Sequence, residues 1–172
     1  RLKVLTVLAP YHIPGHKLEG QSPIIITPVK ALMTHTLPLR DFLKSRHTIK
    51  LGQSVKPETL LRRWLGIGYQ YAGMVIEPGF MSHRGGITDI WIPSDSYPTR
   101  IEFFGDEIET LRHFDPASQR TVSNMDFLEI IPASEILRGK LDGSAWPENE
   151  ISEFLLPYIY PTPSNLIDYL PN

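Results

Sequence analysis

The sequence predicts an α/β segment at each end of the chain and an α+β segment with an antiparallel sheet between them. The all-apolar run Ile24–Ile26 is followed by a helical pattern, which is the strand-then-helix order of α/β proteins. Between residues 71 and 122 apolar positions alternate in period two, and turn residues recur at close spacing. Charge divides at the same places, because residues 1–48 carry +5, residues 49–122 carry −1 and residues 123–172 carry −6.

We therefore predict that residues 1–48 and 123–172 are parts of one discontinuous α/β domain, and that residues 49–122 form an α+β domain inserted in it. The opposite charges of the two ends favour their packing against each other. The alternative is a basic tail and an acidic tail, each surrounded by solvent, and charge alone does not decide between the two.

Composition excludes several classes of function. The 172 residues contain no cysteine, which excludes disulfides, thiolate metal sites and cysteine nucleophiles. No apolar run reaches the roughly 18 residues of a membrane span, and the first residues do not have the pattern of a signal peptide. We therefore expect a folded, cytoplasmic piece of a longer protein, without a membrane partner.

The first 48 residues predict short helices around one buried strand. Apolar spacing predicts a helix that stops at Pro10, a loop that runs to Ser22, and a later helix around Leu39–Lys44. Ile24–Ile26 predicts a strand buried on both faces of a parallel sheet. Thr27 is expected to cap the helix that follows, with the next residue, a proline, as its first residue.

The rest of the chain predicts a strand at His47–Leu51, an amphipathic helix at Pro57–Leu65, and then a series of short strands. These strands are expected at Met74–Glu77, Phe80–Arg84, Ile87–Ile92, Thr99–Phe104 and Glu107–Phe114. One more apolar strand is expected at Phe127–Ile131. The proline-rich end predicts short helical pieces at Ser152–Leu156 and Asn165–Leu170.

The most informative local feature is a hairpin around the two-residue turn Gly105-Asp106, whose first residue suits a type II′ turn. Its register predicts five facing pairs: Phe104 with Glu107, Phe103 with Ile108, Glu102 with Glu109, Ile101 with Thr110, and Arg100 with Leu111. Phe104 then lies on the charged outer face with Arg100, and an exposed aromatic residue beside an arginine is typical of a binding hot spot. The alternative is that the predicted amphipathic helix covers Phe104.

These motifs belong to a long ordered series, which runs through Gly79-Phe80, Arg84-Gly85-Gly86-Ile87, Asp89-Ile90, Arg100–Glu109, Phe114-Asp115-Pro116 and Gln119-Arg120. The series closely resembles the UvrB-homology module of the bacterial transcription-repair coupling factor family, over about residues 23–135. UvrB shares the module, but the Asp115-Pro116 and Gln119-Arg120 ending is more similar to the coupling factor. One departure is Thr88, where relatives usually carry an aliphatic residue.

The resemblance implies a fragment of a degenerate helicase-like (RecA-like) α/β domain that carries an inserted antiparallel-sheet, UvrA-binding domain. It implies a non-catalytic module that recruits UvrA in nucleotide excision repair, with Arg84, Arg100 and Phe104 facing UvrA. Each of these is expected to lose about 1–3 kcal/mol of binding on truncation to alanine, with little loss of folding. The parent protein is expected to be an ATP-dependent DNA translocase that reaches DNA and RNA polymerase through its other parts.

Catalytic and cofactor motifs are not found in the sequence. The one Gly-Lys pair, Gly139-Lys140, is followed by Leu141 and lacks the glycine spacing of a phosphate loop. His12 and His16 are separated by Pro14 and Gly15, which prevent the helix that would align them on a metal. We therefore expect no enzyme activity, no metal and no cofactor in this chain, and expect ATP and Mg²⁺ in the motor of the parent protein.

A second function remains open, because residues 1–48 are basic. The alternative is a DNA-contacting module of UvrB or of a related excision-repair helicase. Against it, aromatic residues interleaved with lysine and arginine are not found in residues 1–48, and the acidic end neutralises their charge if the two pack together.

Overall fold

The computed structural model describes residues 1–15, 23–141 and 155–171. The α-helices of these residues are α1 (Leu2–Leu8), α2 (Val29–Met33), α3 (Leu39–Ser45), α4 (Pro57–Gly66) and α5 (Leu156–Ile159). The strands are β1 (His47–Lys50), β2 (Gln70–Tyr71), β3 (Phe80–Arg84), β4 (Ile87–Ile90), β5 (Thr99–Phe104), β6 (Glu107–Phe114), β7 (Thr121–Asn124) and β8 (Phe127–Ile130). Short 3₁₀ turns lie at Ala9–His12, Arg138–Lys140 and Leu166–Tyr169.

Strands β2 to β7 form one six-stranded sheet in sequence order, and every neighbouring pair except β2 and β3 is antiparallel. The predicted antiparallel sheet is thereby confirmed, but the strand predicted at Met74–Glu77 is wrong. Only Val75 of that stretch is buried, while Met74 and Ile76 are exposed. Residues 74–77 belong to no strand of the described structure, and the two edges of β3 are paired with β2 and β4.

A second, two-stranded sheet pairs β1 with β8 antiparallel, with the buried residues Ile49 and Leu128 facing each other. It brings together two parts of the chain that are about 80 positions apart in sequence. The strands predicted at His47–Leu51 and Phe127–Ile131 are confirmed within one residue. The chain therefore enters and leaves the segment that carries the six-stranded sheet through two adjacent strands, β1 and β8.

The basic beginning and the acidic end of the chain are in contact. Arg1 Nη2 lies 2.8 Å from Glu135 Oε2, and that oxygen also accepts a 2.9 Å hydrogen bond from the Thr36 hydroxyl. Lys140 Nζ lies 3.7 Å from Asp41 Oδ2. Arg46 and Glu129 form a further ion pair. The division of the chain into two domains remains a prediction.

The prediction of a buried strand at Ile24–Ile26 is wrong for this chain. The segment has no regular secondary structure and pairs with no strand of the described residues, and Ile24 and Ile26 are 91% and 94% exposed. A strand buried on both faces needs neighbours in its sheet, and residues 1–15, 23–141 and 155–171 provide none for this segment. The cap is also displaced by one residue, because Pro28 is the N-cap of α2 and the Thr27 hydroxyl does not cap the helix.

Helix α4 has the predicted amphipathic character. Leu60 and Trp64 are buried, and Arg62 and Arg63 are exposed on the opposite side. The indole Nε1 of Trp64 donates a 3.1 Å hydrogen bond to Nε2 of His47. This contact attaches α4 to β1, so the helix is held against the two-stranded sheet.

The proline-rich end is partly described. The helix predicted at Ser152–Leu156 lies largely outside the described residues, which resume with Leu155 and α5. The helical piece predicted at Asn165–Leu170 is confirmed as a 3₁₀ turn, and the Asn165 side chain caps it by accepting from the Ile167 amide. Most of the predicted loop between Pro10 and Ser22 likewise lies outside the described residues. Its first residues belong to the 3₁₀ turn Ala9–His12. Among the described residues, no helix combines the length and apolarity needed to cross a bilayer.

We expect stability to decrease as the pH falls from about 6.5 to about 4, with His47 as one cause. Burial, together with the nearby Arg63 cation, lowers the pKa of His47 to about 4. Between pH 6.5 and pH 4 the unfolded chain therefore binds a proton on His47 that the folded chain excludes. The contribution of neutral His47 to the free energy of unfolding is complete above pH 6.5 and is lost as the pH falls toward 4. We expect about 2 kcal/mol, less than the full shift implies because part of the ring is open to solvent.

The measurement is urea unfolding at pH 7 and pH 4.5 for the wild type and for His47→Gln, which keeps an acceptor for Trp64. Because the carboxylates titrate equally in both proteins, the difference between them isolates His47. If the wild type and His47→Gln differ in unfolding free energy by the same amount at pH 7 and at pH 4.5, His47 is not a cause of the pH dependence.

Candidate interaction face

Strands β5 and β6 form a hairpin that is connected by the predicted turn. Gly105 has a φ of 63° and Asp106 does not have a positive φ, as a type II′ turn requires. The predicted pairs Phe104 with Glu107 and Phe103 with Ile108 are confirmed. Glycine is needed at this turn because its first central residue lies in the left-handed region.

Beyond these two pairs the predicted register is wrong by one residue, and the reason is a β-bulge. Glu102 faces Thr110, Ile101 faces Leu111, and Glu109 is the extra residue of β6. The bulge allows both Ile108 and Leu111 to be buried, although they are three positions apart. It also removes the repulsion between two facing glutamates that the predicted register contained.

One side of the six-stranded sheet, here named the outer face, carries the three predicted site residues. Following the registers, the outer face consists of Arg84 on β3, Ile87 and Asp89 on β4, Arg100, Glu102 and Phe104 on β5, and Glu107, Thr110, Arg112 and Phe114 on β6. Arg84 lies in one cross-strand row with Ile87 and Glu102, about 10 Å from Glu102. Arg100 and Phe104 flank Glu102 at about 7 Å along β5. Arg84, Arg100 and Phe104 therefore belong to one small area.

Phe104 is the most exposed aromatic side chain of this face, at 78%. The alternative that α4 covers it is wrong. Its neighbour on one side is the tight turn Gly85-Gly86, which carries no side chains, and Gly85 adopts a φ of 59°. Phe104 consequently projects from the sheet with its ring available to another molecule.

Arg100 is held within the chain. Its Nε and Nη2 donate to the two oxygens of Asp89 at 2.7 and 2.8 Å, and Nη2 also donates to Gln119 Oε1 at 2.8 Å. The guanidinium carbon lies 4.5 Å from the centre of the buried Phe114 ring. The hydrogen bond to Asp89 raises the pKa of Arg100 above its ordinary value. The Asp89 side chain is only 4% exposed, so this pair is part of the folded structure.

The negative charge of Glu102 is compensated by its neighbours on β6. Arg112 Nη2 donates to Glu102 Oε1 at 2.6 Å, and the Thr110 hydroxyl donates to Oε2 at 2.8 Å. The hydrogen bond from Arg112 is the main reason that the pKa of Glu102 lies below its ordinary value. Arg84 differs from Arg100 and Arg112, because it is exposed and forms no ion pair or side-chain hydrogen bond with the part of the chain that the structure describes.

Sequence reasoning missed the residues that hold Arg100. Asp89 faces Arg100 across β4 and β5, and period-two alternation places both on one face, so this partner was available from the pattern. Gln119 was not, because its position depends on the turn after β6, where it adopts a φ of 60°. Thr88, which departs from the family pattern, is buried, and its Oγ1 lies 2.9 Å from Nδ1 of His83.

Replacing Gly86 with alanine is expected to destabilise the fold by about 1–2 kcal/mol, the range of moderate overpacking. A Cβ at this position would lie 2.9 Å from the Phe103 carbonyl oxygen, and that oxygen belongs to the backbone of a paired strand. Gly73→Ala is the matched control, because a Cβ there meets no atom within 4 Å. Urea unfolding tests this, and equal midpoints for the two variants would contradict it.

Among residues 1–15, 23–141 and 155–171, no three His, Asp or Glu side chains are placed to hold a metal ion. His16, one of the two histidines considered for a metal, lies outside the described residues. The Gly139-Lys140 pair lies in a 3₁₀ turn.

A β-sheet face that presents an exposed phenylalanine, together with an arginine that has no ion-pair partner among the described residues, is suited to contact another protein. A family model described as the UvrB interaction domain matches residues 48–136, which is 89 of the 172 residues. The chain therefore belongs to the UvrB interaction domain family.

The chain is also similar to transcription-repair-coupling factors. It is 38% identical over 115 residues to that of Myxococcus xanthus and 34% identical over 119 residues to that of Bacillus subtilis (strain 168), which covers 67% and 69% of this chain. With that of Staphylococcus aureus (strain MRSA252) it is 26% identical over 206 aligned residues, covering 98% of this chain. These alignments cover only 10%, 10% and 17% of the relatives. The resemblance that the sequence motifs predicted is confirmed.

Proposed function

We propose that this chain is the UvrA-recruiting module of a transcription-repair coupling factor and acts in nucleotide excision repair. The observation that carries the proposal is the outer face, where Phe104 is exposed and Arg84 has no ion-pair partner among the described residues. Both positions match the motifs by which the chain resembles the UvrA-binding members of its family.

In this proposal each of the three predicted site residues has its own role toward UvrA. Phe104 enters an apolar pocket of UvrA, since the few residues that carry most of the binding energy of an interface lie in well-packed, desolvated pockets. Arg84 donates charge-assisted hydrogen bonds to a carboxylate or carbonyl of UvrA. Arg100 offers only Nη1, because Asp89 and Gln119 accept from its other nitrogens, and it mainly fixes the shape of the face.

We propose that residues 1–48 and 123–172 are parts of a degenerate helicase-like (RecA-like) α/β domain and that 49–122 are inserted in it. Three observations support this proposal. The first two are the ion pairs between the two ends and the pairing of β1 with β8 where the insertion begins and ends. The third is an apolar groove of about 720 Å³ between α1 and the exposed Ile24–Ile26 segment. In a longer parent chain, further strands would cover this groove.

We propose further that the module itself is non-catalytic and requires no cofactor, with ATP and Mg²⁺ confined to the motor of the parent protein. DNA and RNA polymerase would then be contacted through other parts of the parent, which is expected in the cytoplasm. The supporting observation is that Gly139-Lys140 lacks the glycine loop that cradles phosphate.

The test is titration of the purified 172-residue chain against purified UvrA by calorimetry. We expect saturable binding that is lost in the triple variant Arg84→Ala, Phe104→Ala, Arg100→Gln. Binding of the triple variant equal to that of the wild type would overturn the site. The DNA-contacting alternative gains support instead if the chain binds duplex DNA below about 1 μM near 0.15 M salt with a steep salt dependence.

A further inference from the structure

Four side chains form a diagonal line across the outer face, here named the diagonal stripe: Arg84, Ile87, Phe104 and Glu107. Arg84 faces Ile87 across β3 and β4, and Phe104 faces Glu107 across β5 and β6. Ile87 faces Glu102 on β5, two positions before Phe104, so it is the diagonal neighbour of Phe104. The stripe therefore runs from a cation through two apolar side chains to an anion.

Ile87 extends the apolar part of this stripe. It is a large aliphatic side chain on the outer face that remains 39% exposed although strands lie on both sides of it. Diagonal neighbours on adjacent strands lie about 7–8 Å apart, within reach of an aromatic ring. The turn residues that precede Ile87, Gly85 and Gly86, have no side chains that could lie between the two. Ile87 and Phe104 thus offer one continuous apolar surface.

Charges inside the face compensate each other, and those at the ends of the stripe do not. Asp89 is paired with Arg100, and Glu102 is paired with Arg112. Within the part of the chain that the structure describes, Arg84 and Glu107 form no side-chain hydrogen bond or ion pair, and both are exposed. A partner that covers the stripe must satisfy these two charges itself, because burying an unpaired charge is costly.

We propose that UvrA recognises this stripe with one apolar pocket for Ile87 and Phe104, an acidic group at the Arg84 end and a basic group at the Glu107 end. This inference rests on the proposed function and adds Ile87 and Glu107 to the contact residues. A stripe with opposite charges at its ends has a direction. A partner docked in the reverse orientation would place like charges together, so the stripe fixes the orientation of UvrA on the sheet.

The experiment compares the affinities of Ile87→Ala and Glu107→Lys for UvrA with that of the wild type. Two matched controls come from the same chain. Val122→Ala truncates an aliphatic residue on edge strand β7 that is 48% exposed, and Glu77→Lys reverses an exposed acidic residue before β3, at the end of that strand opposite Arg84. We expect Ile87→Ala to weaken binding about fivefold and Glu107→Lys about tenfold, with both controls within about twofold.

Salt separates the two contributions. The loss caused by Glu107→Lys should decrease as salt rises from 0.05 to about 0.5 M, whereas the loss caused by Ile87→Ala should persist. Thermal unfolding verifies that each variant is folded. Ile87→Thr, which stays β-branched but has a hydroxyl in place of the ethyl group, replaces Ile87→Ala if the alanine variant is unstable.

Phe104→Ala in the same titration separates the two levels of the proposal. If Phe104→Ala loses affinity while Ile87→Ala and Glu107→Lys stay within twofold of the wild type, the stripe is overturned and UvrA recruitment stands. If the wild type does not bind UvrA, or Phe104→Ala binds as well as the wild type, the stripe falls together with the site on which it rests.

Discussion

Replacing Phe104 with alanine is expected to weaken binding to UvrA by about 30-fold to 100-fold, which corresponds to about 2–3 kcal/mol. The same change should leave the free energy of unfolding nearly unchanged. The physical reason is exposure, because a ring that is 78% exposed contributes little packing to its own fold. An aromatic ring that becomes fully buried in a partner contributes most of its transfer free energy to binding instead.

The measurement is the dissociation constant for UvrA together with the urea midpoint of the same preparations. Phe127→Ala is the matched control, because Phe127 is also an exposed phenylalanine on a strand, but in the two-stranded sheet and not on the outer face. We expect the control to bind normally. A large loss of stability in Phe104→Ala, or an equal loss of binding in Phe127→Ala, would count against Phe104 as an anchor.

Replacing Arg100 with alanine is expected to destabilise the fold by about 3 kcal/mol, the usual effect of removing one partner of a buried ion pair. This expectation differs from the one drawn from sequence, in which truncating Arg100 costs little folding stability, because the sequence did not include its pairing with Asp89. The Asp89 carboxylate is 4% exposed and receives two hydrogen bonds from Arg100. Without the guanidinium, that charge would remain buried with its main partner gone.

A double-mutant cycle tests this explanation. Arg100→Ala combined with Asp89→Asn should be less destabilised than the sum of the single variants, because the buried charge is then absent. Arg112→Ala is the matched control. Its pair with Glu102 is about a quarter exposed on each side, at 24% and 28%, so the loss should be about 1 kcal/mol or less. Additive effects in the cycle would refute the coupling.

The cycle also determines how binding by Arg100 variants must be measured. A loss of affinity in Arg100→Ala combines any lost contact with a lower folded fraction and a disturbed face. Arg100→Lys keeps the charge but not the paired geometry of the guanidinium. Comparing it with Arg84→Lys separates a residue that shapes the face from one that contacts the partner directly.

The middle of the chain was the most predictable part of the fold. Strands β5 and β6 have the bounds that alternation predicts, because alternating burial and a glycine turn are local signals. Strand β7 was not predicted, since all four of its residues are exposed and its sequence has no apolar alternation. Strand β2 has two residues, too few for a periodic signal.

Ile24–Ile26 shows the opposite case. Its composition is that of a central strand, yet the segment is exposed and pairs with none of the strands that the structure describes. The sequence pattern indicates which environment suits a segment. Whether the segment is buried there depends on whether neighbouring strands are present. This distinction explains why a strong local signal gave a wrong structural prediction.

The sequence by itself determined the family, the position of the hairpin and the place of Phe104 on the outer face, because each depends on residues close together in the chain or on an ordered series of motifs. That helix α4 leaves Phe104 uncovered was decided by the tertiary structure. Tertiary structure alone decided the bulge at Glu109, the attachment of Arg100 to Asp89 and Gln119, and the exposure of Ile87. These features depend on how core residues such as Ile108 and Leu111 pack, and a shift of one residue in register changes which side chains face each other.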